Sequence, residues 1–203
     1  MPASRTTRRG LLAAAAAATA TASATYAART PEALATDPPP KSDPELLREL
    51  LAIEQLLIVV YRRVIASGLL SARVDRVARR VEQQEQAHAR AIARRLQTVG
   101  GSAPRPLHTT DAIDKALHDL KVSGRVSGLR NEHDCVHLLL DLEMGAEGAY
   151  YQAISQFTSL SLTQLAVGIL ANEAQHQTAV SEARRPGDAS QAVPTSFVKG
   201  KSP

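Results

Sequence analysis

Four segments of the chain have the apolar spacing of amphipathic helices, and each breaks its apolar stripe near the middle with a carboxylate. Steps of three and four join Leu47, Leu50, Glu54, Leu57, Tyr61 and Ile65 on one face. A second face runs Val74, Val77, Val81, Ile92, Leu96, Val99, and its missing members are Glu85 and His88. The third reads Val136, Leu139, Glu143, Glu147, Tyr150, Ile154, and the fourth Leu162, Leu165, Ile169, Glu173, His176, Val180. A chain with this pattern must put four acids where its helices meet. An unpartnered buried carboxylate costs roughly several kcal/mol even after relaxation. Basic residues do not compensate, because Arg73, Arg76, Arg80, Arg90 and Arg94 fall on the opposite face of their helix. Solvated polar faces fit the matched set poorly.

The pattern also repeats. "LAIEQLLIVVYRRVI" (51–65) aligns with "LDLEMGAEGAYYQAI" (140–154), matching Glu54 to Glu143 and Tyr61 to Tyr150. "VEQQEQAHARAI" (81–92) aligns with "ILANEAQHQTAV" (169–180), matching Glu85 to Glu173 and His88 to His176. The offsets are 89 and 88 residues, which chance does not easily produce twice. Each half therefore carries a Glu on its first helix and a Glu-x-x-His on its second. That spacing puts carboxylate and imidazole on one helix face. Cations between the helices would remove the cost of burying them. Two divalent ions balance four Glu, and mixed oxygen and nitrogen donors without thiolate suit iron or manganese.

The helices follow from local signals. Pro-rich "TDPPPKS" (36–42) cannot be helical, and Ser42 or Asp43 can cap a helix with Pro44 and Glu45 in its first turn. This helix is expected to reach about Gly68, and the next to run from Ser71 to Gly100-Gly101. Residues 111–121 read as a short helix, stopped by "SGRVSG". Two further helices are expected at about 131–158 and 162–183. Links of two to four residues within each pair make antiparallel hairpins, and roughly thirty residues between the pairs can cross the bundle. The fold class is all-α, two helix hairpins joined by one long crossover.

These residues resemble the ferritin-like superfamily of di-iron and di-manganese carboxylate proteins, for which this ligand set is already the known signature. The resemblance spans about residues 43–183 and is closest to exported bacterial ferritin-like-domain proteins with twin-arginine signals. It implies two metal ions, iron first and manganese second, held by Glu54, Glu85, His88, Glu143, Glu173 and His176. Glu85 and Glu173 would bridge, Glu54 and Glu143 would be terminal, and each His would give one nitrogen. Glu147, set against Ile58 by the repeat, is an alternative or outer residue. Tyr61 and Tyr150 could hydrogen-bond the ligands or relay electrons, though packing is the preferred reading. His133, His137, His108 and His118 are read as outside the site. The implied activity is iron chemistry with O2 or peroxide, such as ferroxidase, peroxidase-like or oxidative-stress protection. A different reading is an exported helical interaction or protective module with an empty or redox-silent site, for example zinc.

The ends of the chain suggest an address. "TTRRGLLAAAAAATATASATYAA" has a charged start, an Ala-rich run and small residues, with "ALA" at 33–35 as a cleavage site. Arg8-Arg9 followed by two Leu resembles a twin-arginine signal. Residues 1–35 are thus expected to be a signal peptide, which implies the twin-arginine translocase as a partner and a periplasmic or extracellular location. Residues 184–203 are expected to be a disordered tail. The net charge of +4 is concentrated in the leader, since residues 36–203 hold 20 basic and 19 acidic side chains. Nucleic acid is therefore not an expected partner. The single Cys135 precludes an intrachain disulfide and reads as a small buried apolar residue. An oligomer is compatible with such a bundle.

Overall fold

A computed structural model of the protein describes residues 40–188. The expected signal peptide (1–35), most of the Pro-rich linker (36–42) and residues 189–203 of the expected tail lie outside the described residues. Five α-helices and one 3-10 turn make up the ordered elements of the described residues, without a strand. In order they are α1 (Asp43–Ala66), α2 (Ala72–Thr98), α3 (Thr110–Asp119), the 3-10 turn (Val126–Gly128), α4 (Glu132–Ile154) and α5 (Leu160–Arg184).

The helix ends obey the local chemistry. At α1, the Glu45 carboxylate accepts the Ser42 backbone N–H at 2.8 Å, the reciprocal half of a capping box, with Pro44 in the first turn. Thr109 and Asn131 cap α3 and α4 by accepting from the N–H groups of Ala112 and Asp134. Gly100 ends α2 at φ +76, which a side chain would disfavour. Val99, read as the last stripe residue, lies in that turn and is 42 % exposed.

Two boundaries differ from the sequence reading. The hairpin links are 67–71 and 155–159, five residues each rather than two to four. The first lengthens because the chain leaves α1 at Ser67 and turns through Gly68 at φ +68. The second lengthens because α4 stops at Ile154, four residues early, where the Asp43 carboxylate accepts both the N–H and the hydroxyl of Thr158 at 2.8 Å. That contact fastens the α4–α5 link to the start of α1.

α1 packs on α2 and α4 on α5, and the two hairpins meet through α1–α4 and α2–α5. The long crossover, residues 99–131, carries α3, which packs against α1. Ile113 and Leu117 of α3 are fully buried. Asp114 then accepts the backbone N–H of Val126 at 2.7 Å, and Asp141 of α4 accepts that of Ser123 at 2.5 Å. These carboxylates hold the irregular part of the crossover to the helices.

The core is split into two apolar layers. One contains Leu57, Val60, Val74, Val81, Leu117, Val136, Leu139 and Val180. The other contains Leu47, Leu50, Ile92, Leu96, Leu162 and Ile169. Between them, at the midpoint of all four long helices, lies a polar layer. No helix among the described residues is long and apolar enough to cross a membrane.

Candidate metal centre

The polar layer is built from one or two side chains per helix. α1 contributes Glu54, α2 contributes Glu85 and His88, α4 contributes Glu143, and α5 contributes Glu173 and His176. All four carboxylates are fully buried and His176 is 2 % exposed. The four-residue stride that buries their neighbours gives them no other direction to point.

Their donor atoms form two overlapping groups. Glu54, Glu85, His88 and Glu173 make one, with all donor atoms within 4.8 Å of one another. Glu85, Glu143, Glu173 and His176 make the other. Glu85 and Glu173 belong to both. Glu85 lies with one oxygen 3.3 Å from Nδ1 of His88 and the other 2.6 Å from Nδ1 of His176. Glu173 divides likewise, 2.9 Å to His88 and 3.6 Å to His176. Glu54 is near His88 alone at 3.7 Å, and Glu143 near His176 alone at 3.6 Å.

The outer atoms of these side chains are held in place, and most of the inner ones, apart from Nδ1 of His88 with Oε2 of Glu85, are not. The Tyr61 hydroxyl donates to Oε1 of Glu143 at 2.5 Å, and Tyr150 donates to Oε1 of Glu54. Nε2 of His88 meets the carbonyl oxygen of Asn172 at 3.0 Å, and Nε2 of His176 meets that of Gln84 at 2.8 Å. An amide oxygen only accepts, so each imidazole must carry its proton on Nε2 when neutral. Nδ1 is then the lone-pair nitrogen, and it faces the carboxylates. By contrast Oε2 of Glu54, Oε1 of Glu85, Oε2 of Glu143, both oxygens of Glu173 and Nδ1 of His176 are buried without a hydrogen-bond partner. His176 Nδ1 and Glu85 Oε1 approach to 2.6 Å without hydrogen-bond geometry. Buried polar atoms normally find partners. Six that do not, converging between two held imidazoles, are placed where they could hold cations.

The electrostatics agree. Burial drives Glu54 and Glu143 well above the usual carboxylate range, and neighbouring acids add to the shift. Burial opposes charge on both imidazoles, but the carboxylates facing them prevail and push His88 and His176 up to about 12. Burial would also raise Glu173, yet His176 and His88 outweigh it and hold it at about 2. The layer thus holds protons where metal ions would replace them.

The other residues sort clearly. Glu147 is 3 % exposed at the edge of the layer and in neither group, and burial lifts it to about 7, with the charge of Glu173 helping. His133 and His137 pack ring to ring at 5.1 Å on the exposed side of α4, and His108 and His118 are exposed in the crossover. None of the four enters a ligand-like group among the described residues. Cys135 is buried. Tyr61 and Tyr150 are packed, fully buried residues that also bond the carboxylates, so packing alone understates them. From the sequence, Gln84 reads as a surface residue or one just outside the ligands, and Asn172 does not stand out. The repeat did carry a signal, because Gln84 and Asn172 align at the same offset of 88, each one residue before its Glu.

Among known families, the model of the ferritin-like domain matches the chain over residues 42–185. No curated protein matches the chain.

Proposed function

Starting from the fact that this chain belongs to the ferritin-like domain family, we propose that it is an exported di-metal carboxylate protein that oxidises ferrous iron with peroxide or dioxygen. One observation carries the two-metal part: two ligand groups share Glu85 and Glu173 and keep Glu54, His88, Glu143 and His176 to one side each. Glu85 and Glu173 would bridge, Glu54 and Glu143 would be terminal ligands, and each His would bind through Nδ1. Four carboxylates cancel the charge of two divalent ions, and O/N donors suit iron, with manganese next.

Two ferrous ions supply one electron each. Hydrogen peroxide takes both with two protons and leaves as two waters; dioxygen takes the same two electrons and two protons and leaves as hydrogen peroxide. The chain's own residues set the stage for this. Tyr61 and Tyr150 fix Glu143 and Glu54 from the far hairpins. Gln84 and Asn172 fix the imidazole tautomer. The apolar layers on both sides keep bulk water away. Export through Arg8-Arg9 by the twin-arginine route, which carries folded proteins, would let the centre be filled before the chain reaches the cell envelope.

Elemental analysis of protein purified from its native compartment tests the reading. Wild type should carry iron or manganese, and the Glu85→Ala, Glu173→Ala variant should not. Equal, near-zero metal in both rejects the di-metal centre. Metal without faster Fe(II) oxidation than buffer rejects the oxidase and leaves a redox-silent site. Fractionation of cells expressing Arg8→Lys, Arg9→Lys protein tests export.

A further inference from the structure

The centre is walled unevenly. Toward α1 and α4 it is closed by the fully buried Tyr61 and Tyr150. Toward α2 and α5 an open groove of about 530 Å³ runs down to Gln84, Asn172 and His176. His88, on the same side, keeps 11 % of its side chain exposed. This is the face on which the outside comes nearest to the candidate ligands.

The walls of this groove are strongly basic. Arg73, Arg76 and Arg80 line it from α2, spaced by three and four so that they share one face. A single carboxylate, Glu182 of α5, faces them, and its Oε1 accepts the N–H of Gly187 at 2.9 Å. Two arginines on the α1–α2 face are paired, whereas Arg90, Arg94 and Arg95 further along α2 are not, among the described residues. Arg79 is held by both oxygens of Asp75, and Arg62 bonds Glu82 at 2.8 Å. Arg73, Arg76 and Arg80 form no such ion pair among the described residues. Below them, Gln84 gives its carbonyl to His176, which leaves its NH2 as a donor.

We propose that the α2–α5 groove is an anion port to the centre, with Arg73, Arg76 and Arg80 as its charged rim and a small inorganic anion as the species it admits. The inference rests on the di-metal reading and extends it to an anionic ligand that reaches the centre from outside. A cleft lined by one sign of charge concentrates the opposite sign at its floor. The rim therefore repels a hydrated cation and favours a small inorganic anion such as phosphate. The ferrous substrate must then enter elsewhere or before export.

Azide is the probe for metal-loaded full-length protein, and its association is followed by stopped-flow absorbance. The wild-type rate should fall as salt rises. The Arg73→Gln, Arg76→Gln, Arg80→Gln variant should keep the same metal content, react on the order of tenfold more slowly and lose the salt dependence. A control, Arg62→Gln with Arg79→Gln on the other face, should match wild type. Equal rates in wild type and the triple variant overturn the port while leaving the metal centre standing. A second arm needs no metal: calorimetric titration of metal-free protein with inorganic phosphate should show binding that the triple variant weakens. Equal phosphate binding in both overturns the port. A metal-free wild type from native cells overturns the di-metal reading instead, and the phosphate comparison still decides the groove.

Discussion

The Tyr61 hydroxyl reaches across from α1 to donate to Glu143 on α4, not to Glu54 of its own helix. Tyr150 returns the bond to Glu54. α1 and α4 run antiparallel, so residue 61 lies level with 143 and residue 54 with 150. Tyr61→Phe should therefore leave a buried carboxyl oxygen on the other hairpin without its donor. The expected loss is about 1–3 kcal/mol in denaturant unfolding of the metal-free protein. Tyr150→Phe should cost a similar amount. A loss below roughly 0.5 kcal/mol for both would mean that packing is their whole role.

Asn172 and Gln84 hold the imidazoles of His88 and His176 from the opposite helix. Asn172→Ala or Gln84→Ala should weaken metal binding roughly 10–100-fold while leaving the helices intact. Competition against a chelator of known affinity measures the first, and circular dichroism the second. Unchanged affinity would show that the tautomers are set without these amides.

The stability of the metal-free protein and the increment that metal adds should respond to pH in opposite senses. Glu54 and Glu143 have raised values, so burying them is least costly below the unfolded carboxylate range and grows costly as pH rises. His88 and His176, raised to about 12, stabilise the fold fully below about 6.5 and progressively less above it. Glu173, lowered to about 2, changes only below about 4.5 and is constant in this window. The native state thus holds more protons than the unfolded chain above about pH 6.5, and metal-free stability must fall with rising pH. Metal binding displaces those protons and gains over the same range. The melting-temperature increment given by Mn(II) should be larger at pH 8 than at pH 6. A shrinking increment would contradict the assigned ligands.

Glu147 separates ligand from neighbour. It is buried beside Glu173, but it lies outside both groups. Glu147→Gln should keep the metal stoichiometry of wild type, whereas Glu143→Gln should lower it, both read by elemental analysis. The reverse outcome would exchange their roles.

The long-helix stripes made Glu54, Glu85, Glu143 and Glu173 legible in the sequence, because a carboxylate inside an apolar face has few harmless explanations. The repeat made their pairing legible too. What one-helix spacing cannot convey is which side chain meets which across a gap between helices. That is why Tyr61 and Tyr150 read as packing residues near their own Glu, and why the partners of Gln84 and Asn172 were not legible. The length of the α4–α5 link depends on a contact that local helix signals do not carry. The bond from Asp43 to Thr158 joins residues far apart in sequence, and it lies where α4 gives way to the link.

The crossed pairs of tyrosines and amides have a consequence for how such a chain can change over generations. Each half keeps the supports of the other half's site, so neither can drift alone. A loss at Tyr61 is felt at Glu143, and a loss at Asn172 is felt at His88. The two halves are tied as a lock is to its key, and sequence change in one should be answered in the other at the position facing it across the bundle.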